Sequence, residues 1–168
     1  MSKGDKRKLG NLTGFLQERF AASCPSGWSC QHEVDVLDEK WQRALGYSAW
    51  ADVLLTRDDG QKRLWIEFEV SRADPVANHA KFATSHLFQP QASTDTFIAM
   101  ISSHVTRGRR NLAANTILLM RRVGMRVTTA EEAPHISQAF RNWQELNTDH
   151  IRIHPSGPMF LVAPNWFV

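Results

Sequence analysis

Residues 62–71 read KRLWIEFEVS, an alternation of apolar and mostly polar side chains that is typical of a β-strand. The residues at 51–56, ADVLLT, form a shorter apolar run. Between the two runs stands RDDG at 57–60, whose Asp-Gly pair favours a tight turn. We therefore predict an antiparallel hairpin. One face of its second strand carries Leu64, Ile66, Phe68 and Val70, and the other carries Arg63, Trp65, Glu67, Glu69 and Ser71.

Helical and strand-like patterns alternate on both sides of this hairpin, which predicts an α/β fold. The pair Asp74-Pro75 is a strong helix start, because Asp caps helices and Pro suits a first helical turn. The predicted order is a helix over 11–22, a strand over 28–37, a short helix or ordered loop over 38–45, the hairpin, a helix from Asp74-Pro75 to about Phe88, a strand over 96–102, a helix over 112–123, a strand over 125–128, a helix over 133–146 and a pair of short strands over 151–154 and 159–162.

The length of 168 residues suggests one domain, and the 42% of hydrophobic residues can fill a core. No run approaches the roughly 18 apolar residues of a membrane span, and the charged start MSKGDKRKLG is unlike a secretory signal. Two cysteines are too few for a disulfide scaffold. We expect a cytoplasmic protein without a membrane partner, with a basic flexible tail at 1–8, a core at 9–128, and a helix and β extension of the same domain at 129–168.

The net charge of +3 combines segments of opposite sign. Residues 9–100 hold 8 basic and 12 acidic side chains, whereas residues 101–128 hold six arginines and no acid. The tail at 1–8 contributes +3, and residues 129–168 contribute −2. This separation of charge indicates a polyanionic partner with a cation site beside it.

Three carboxylates are predicted to converge on the hairpin. Glu67 and Glu69 share one face of the second strand, and Asp52 begins the neighbouring strand, so the turn brings it beside them. Like charges in an apolar hairpin are unfavourable unless a cation binds. Oxygen ligands without His or Cys suit Mg²⁺ or Mn²⁺. The alternative is that Glu67 and Glu69 belong to a solvated face, although Trp65 shares that face and a helix follows directly.

The order helix, three strands, helix, strand, with an Asp at the start of the second strand and a Glu pair in the third, resembles the PD-(D/E)XK phosphodiesterase superfamily over residues 11–103. Ala51-Asp52 stands for the Pro-Asp element, and Glu67-Phe68-Glu69 stands for Glu-x-Lys. The resemblance implies a restriction-endonuclease-like core, in which helices flank a mixed central sheet, with a C-terminal α/β extension here. It also implies that Asp52, Glu67 and Glu69 hydrolyse phosphodiester bonds with Mg²⁺ or Mn²⁺.

Glu69 replaces the lysine that is thought to position the attacking water in this superfamily. A subset of restriction endonucleases has Glu-x-Glu, as here, and other members place the lysine on the next helix, where Lys81 stands. Lys81 is thus either a catalytic residue or an exposed lysine. The resemblance also allows Glu18, on the first helix, as a further metal ligand, against the alternative of a solvated surface residue.

Basic residues after the carboxylates are candidates for DNA binding. Arg107, Arg109 and Arg110 precede and open a predicted helix, where their charge opposes the helix dipole, so helix stability does not explain them. Guanidinium and backbone N–H groups at a helix start together suit a phosphate. Arg72 lies close enough to Glu69 in sequence to contact a scissile phosphate, or it pairs with Asp74.

Two other metal arrangements carry less weight. His79 lies on the helix after the carboxylate strand and either lines the site or packs as an ordinary helical histidine. Cys24, Cys30 and His32 lack a fourth ligand and the spacing of a zinc site, so zinc is excluded.

The sequence therefore predicts a divalent-metal-dependent endodeoxyribonuclease of restriction, defence or repair type. The alternatives are an inactive nuclease-fold module that binds nucleic acid and an assembly subunit. A homodimer would serve the activity, because cutting both strands of a duplex often needs two copies of a small chain.

Overall fold

The computed structural model describes residues 11–69, 75–101 and 107–131, and these form a five-stranded sheet with four helices. In chain order the elements are α1 (Asn11–Ala22), β1 (Trp28–Asp35), α2 (Glu39–Leu45), β2 (Trp50–Arg57), β3 (Arg63–Glu69), α3 (Pro75–Phe88), β4 (Thr96–Ile101), α4 (Arg107–Arg122) and β5 (Val127–Glu131). The predicted α/β class is confirmed.

The sheet is mixed, with the strands in the order β1-β2-β3-β4-β5. β1, β2 and β3 form an antiparallel meander, which confirms the predicted hairpin of β2 and β3. β4 pairs parallel to β3, and β5 pairs parallel to β4. Each parallel pair is connected through a helix, α3 and then α4, as parallel strands require.

Helices cover both faces of the sheet. On one face, Phe68 of β3 packs against Phe20 of α1, with ring centroids 5.6 Å apart. On the other face, Trp65 belongs to the buried cluster that includes Phe82 of α3 and Met120 of α4. Because side chains alternate along a strand, Glu67 and Glu69 lie on the same face as Trp65. The carboxylates are therefore on the face that α3 and α4 cover.

One boundary near the site differs from the predicted one, and one alternative that the sequence left open is decided, both for physical reasons. β1 ends at Asp35 rather than at 37, because the Asp35 carboxylate accepts hydrogen bonds from the backbone N–H groups of Leu37 and Ala49 and closes a loop. The stretch over 38–45 is a helix, capped by the Asp38 side chain and ended by Gly46 at a φ of 72°. Gly46 suits this left-handed position because it has no Cβ.

α4 begins at Arg107, five residues before the predicted start at 112. Its first turn is polar and so carries no apolar periodicity that would mark a helix. Its buried residues are Ala113, Ile117 and Met120, whereas Leu112 is 52% exposed. Arg107, Arg109 and Arg110 consequently lie within the first turn of α4 and are exposed.

Several predictions concern residues outside the described ranges: the tail at 1–8, Arg72, the helix over 133–146 and the strands over 151–154 and 159–162. β5 crosses the predicted boundary between core and extension at residue 128. Across the described residues, no helix combines the length and the apolar character that crossing a membrane requires.

Candidate metal centre

Asp52 and Glu67 lie opposite each other, one position beyond the last paired residues of β2 and β3. The paired residues run from Thr56 opposite Arg63 to Val53 opposite Ile66, so the next position sets Asp52 across from Glu67. There the Oδ2 atom of Asp52 accepts a 2.6 Å hydrogen bond from the backbone N–H of Phe68. This bond holds the Asp52 carboxylate at the end of β3, between its two glutamates.

Glu67 and Glu69 are almost completely buried, at 6% and 2% exposure. The Oε1 atom of Glu69 accepts a 3.0 Å hydrogen bond from the side-chain amide of Asn78 on α3. The Oε2 atom of Glu67 is also buried, but it has no hydrogen-bond partner among the described residues. A buried oxygen without a partner is unfavourable, and a ligand at Glu67 would relieve this cost.

Burial and neighbouring charges raise the pKa of Glu67 and of Asp52. Burial is the largest cause for Glu67, followed by the charges of Asp52 and Glu69, and its pKa rises to about 10. Burial also raises the pKa of Asp52 to about 7, although the hydrogen bond from Phe68 opposes the shift. The Asp52–Glu67 pair therefore retains a proton at neutral pH in the protein without metal. A bound cation would stabilise the ionised carboxylates, so the pair would release this proton.

Glu33 and Gln17 border this cluster and were not predicted from the sequence. Glu33 lies between the β1–β2 pairs His32–Val53 and Val34–Ala51, and its charge raises the pKa of both Asp52 and Glu67. Its φ of 51° is in the left-handed region, which is unfavourable for a residue other than glycine. The Gln17 side chain of α1 donates to the Oε1 atom of Glu33 at 2.7 Å and to the backbone oxygen of Asp52 at 3.0 Å.

The two predicted accessory residues, Glu18 and Lys81, differ in their position relative to the cluster. Glu18 is exposed on α1 and is not among the charges that act on Asp52 or Glu67, so the structure does not bring it to the cluster. Its neighbour Gln17 makes the contact from α1 instead. Lys81 is exposed on α3, three residues after the Asn78 that holds Glu69. Residues three apart on a helix are neighbours on its surface, so Lys81 lies beside Asn78.

The arginines in the first turn of α4 lie at the same end of the strands as the carboxylates. β2 is antiparallel to β3, so the start of β2 lies next to the end of β3. β4 is parallel to β3, so its last residue, Ile101, lies at the same end of the sheet as Glu69. The next described residue is Arg107, where α4 begins. At the other end of α4, Arg121 donates to the backbone oxygen of Val127 at 2.9 and 3.1 Å, which is a structural role.

His79 packs in the core. It is fully buried on α3, and its ring meets the ring of Phe97 edge-on at a centroid distance of 5.9 Å. Burial lowers its pKa to about 4, and the backbone of Ala113 partly opposes this shift. The ring is consequently neutral at physiological pH.

Within the ranges 11–69, 75–101 and 107–131, no three His, Cys, Asp or Glu side chains are arranged as a ready-made metal site. Asp52 and Glu67 therefore provide two ligands rather than a complete protein cage. Mg²⁺ is commonly bound in this way, through one or two carboxylates with water and phosphate oxygens completing the octahedron. The residues present fit such an ion, since the partnerless oxygen of Glu67 supplies a ligand atom.

Comparison of the chain with protein-family models, with curated proteins and with solved structures gave no match.

Proposed function

We propose that this chain is a metal-dependent nuclease that hydrolyses phosphodiester bonds in DNA, with a restriction-endonuclease-like core. The observation that carries the proposal is the meeting of Asp52 and Glu67 on neighbouring strands, with one Glu67 oxygen buried and without a partner. The buried Glu67 and the half-buried Asp52 lie side by side and cannot both ionise easily, and Mg²⁺ or Mn²⁺ would stabilise both as carboxylates. The order of helices and strands around them is also the order that the superfamily resemblance implies.

The chemistry assigned to Asp52 and Glu67 is to hold the ion against a phosphate. The bound ion would polarise the phosphodiester and lower the pKa of a water molecule, so that hydroxide forms near neutral pH. Asp52 is kept in place by the Phe68 N–H, which prevents its carboxylate from turning away. Glu67 offers the partnerless oxygen as the second ligand.

Glu69 and Lys81 are proposed to act on the attacking water. Glu69 is anchored by Asn78, so its carboxylate has a fixed orientation beside Glu67. A fixed carboxylate can accept a proton from a water molecule or bind the metal through one. Lys81 lies exposed on the same helix as Asn78 and would supply the positive charge that the sequence lacks at position 69.

The substrate is proposed to lie at the end of the strands where α4 begins. Arg107, Arg109 and Arg110 occupy the first turn of that helix, whose N–H groups and guanidinium groups both suit phosphates. Contacts of this type would give affinity without base preference and would weaken with salt. A homodimer and a cytoplasmic location remain predictions from the sequence.

Cleavage of supercoiled plasmid with Mg²⁺ or Mn²⁺ tests the proposal. The wild type should nick the plasmid, while Glu67→Gln and Asp52→Asn should be at least about a hundredfold slower, since each removes a metal ligand. Glu39→Gln is the matched control, because Glu39 is an exposed acid of α2 that pairs with Arg43. Equal activity of the wild type and Glu67→Gln would disprove the assignment.

A second candidate is a nucleic-acid-binding module that keeps the fold without the chemistry. It is favoured by Glu69 in the place of the lysine and by the two-ligand character of the centre. Binding of labelled duplex DNA in EDTA, with no cleavage by the wild type in either metal, would select this alternative.

A further inference from the structure

Trp50 leaves much of its indole ring in solvent beside the metal centre. It begins β2, two residues before Asp52, and it is 51% exposed. Alternate residues of a strand share one face and lie about 7 Å apart, so Trp50 and Asp52 are neighbours on the same face of β2. Ala51, between them, is fully buried. β2 therefore presents a large aromatic ring to solvent within reach of a molecule that lies against Asp52.

The backbone at Trp50 is fixed by the sheet. Trp50 is paired with Asp35 of β1. The preceding residue, Ala49, donates its N–H to the Asp35 carboxylate at 3.1 Å and accepts a 3.0 Å hydrogen bond from the N–H of Val36. The exposed ring thus belongs to an ordered strand rather than to a loop. With only two side-chain torsions to fix, such a ring can bind a ligand at a low cost in conformational entropy.

The described contacts do not account for this exposure. A tryptophan side chain is strongly stabilising when it is buried, and half of Trp50 forgoes that gain. Phe88 is also exposed, but its ring packs against Trp41 at a centroid distance of 5.5 Å. Within residues 11–69, 75–101 and 107–131, no ring, cation or hydrogen-bond acceptor is paired with the indole of Trp50. Its flat face is therefore open for stacking.

We propose that Trp50 stacks on an unpaired base of the substrate, so that the metal centre acts on single-stranded DNA. This inference rests on the proposed nuclease function, because it identifies the substrate of the same centre. In a duplex each base is stacked between its neighbours, and its face meets a protein ring only where the strand is unpaired or the base is turned out. Every base has a π face, so the contact favours single strands without selecting a sequence.

Stacking on Trp50 also places a phosphate near the metal ligands. A nucleotide carries its phosphates on the sugar that holds the base, so a base on Trp50 brings an adjoining phosphate toward Asp52 and Glu67. The ring thus determines which linkage of the strand meets the metal. Negative supercoiling helps the strands of a plasmid to separate, so the plasmid of the cleavage assay also offers unpaired bases.

Binding of fluorescently labelled oligonucleotides to the full chain in EDTA tests the proposal without metal or cleavage. The probes are a single strand, a strand of the same length with abasic sugars throughout, and a blunt duplex. The wild type should bind the single strand more tightly than the abasic strand. Trp50→Ala should weaken binding of the single strand by roughly a factor of ten and leave the affinities for the abasic strand and the duplex unchanged.

Two further variants separate stacking from a general effect on the fold. Trp50→Phe keeps a flat ring and should retain most of the preference for the single strand over the abasic strand. Leu118→Ala is the matched control, because it removes an apolar side chain of similar exposure, 55%, from α4. In the wild type, the indole N–H resonance of Trp50, identified by its loss in Trp50→Phe, should shift with the single strand and not with the abasic strand.

Equal affinities of the wild type and Trp50→Ala for the single strand would overturn the proposal. A loss in Trp50→Ala that is the same for the single strand and the abasic strand would also overturn it, since the abasic strand has no base to stack. A failure of the nuclease function appears elsewhere, as equal nicking of plasmid by the wild type and Glu67→Gln. The two failures are therefore distinguishable.

Discussion

The Asp52 carboxylate accepts a 2.6 Å hydrogen bond from the backbone N–H of Phe68, the residue between Glu67 and Glu69. A side chain thus takes an N–H group that a neighbouring strand would otherwise satisfy. The bond places the Asp52 carboxylate beside Glu67, which β3 holds on the same face as Glu69. This single contact explains why Asp52, 15 positions before Glu67, belongs to the same centre.

Replacing Glu67 with Gln should stabilise the protein without metal at pH 8. The unfolded chain releases the Glu67 proton near its ordinary pKa of 4.5, whereas the folded chain retains it to about 10. Between these values the folded state holds the Glu67 proton more tightly, so the contribution of Glu67 to the free energy of unfolding falls as pH rises. Glu67→Gln removes this dependence and should raise the free energy of unfolding at pH 8 by more than about 1 kcal/mol.

Urea unfolding in EDTA at pH 5 and pH 8 measures this effect. Glu39→Gln serves as the control, because the carboxylate of Glu39 is exposed beside Arg43. A Glu67→Gln variant whose stability changes between the two pH values by as much as that of the wild type would show that Glu67 ionises normally.

Divalent metal should bind with release of a proton. The Asp52–Glu67 pair retains a proton at neutral pH, and a metal ligand must be ionised. Mn²⁺ should therefore raise the melting temperature more at pH 8 than at pH 6. Calorimetry in two buffers with different ionisation heats counts the protons released, and we expect about one per ion. A buffer-independent binding heat would argue against Glu67 as a ligand.

The strands near the site and the faces of β3 were predictable because they depend on a pattern of period two within one short stretch. The alternation in residues 62–71 placed Glu67 and Glu69 on one face, and the turn at 57–60 placed Asp52 across from Glu67. Glu33 was not predictable, because its position depends on the register of β1 against β2, which no tight turn fixes. Gln17 was missed for a similar reason, since the rotation of α1 over the sheet decides which side chain reaches Asp52.

Asn78 should act as a positioning residue for Glu69. Its amide donates to a carboxylate that is 2% exposed, so Asn78→Ala leaves that oxygen with one fewer donor. We expect a loss of about 1–3 kcal/mol in the free energy of unfolding. In the cleavage assay kcat should fall while KM for DNA stays unchanged, because the substitution disturbs Glu69 rather than DNA contacts. Asn115→Ala, at an exposed position of α4, is the matched control and should lower neither quantity strongly.

His79 should make the protein sensitive to acid. Its folded pKa is about 4 and its ordinary value is 6.5, so below pH 6.5 the unfolded state binds more protons. The contribution of His79 to the free energy of unfolding therefore falls as pH drops from 6.5 to 4, by roughly 3 kcal/mol in total, and above pH 4.5 it opposes the contribution of Glu67. In the Glu67→Gln background, which lacks the opposing titration of Glu67, His79→Leu removes the titrating ring and should flatten this part of the profile in urea unfolding. An unchanged slope in the variant would show that other groups cause the acid sensitivity.

Glu33 should combine backbone strain with a contribution to metal affinity. At the φ of 51° that Glu33 adopts, Asn should be a less unfavourable substitution than Gln, because Asn tolerates the left-handed region better. Glu33→Asn and Glu33→Gln remove the same charge, so both should weaken Mn²⁺ binding by a similar factor. Their stabilities should differ, with Glu33→Asn more stable than Glu33→Gln by about 0.5–1 kcal/mol. Thermal melts and calorimetry on the pair separate the two effects, and equal stabilities would show that the backbone at Glu33 is not strained.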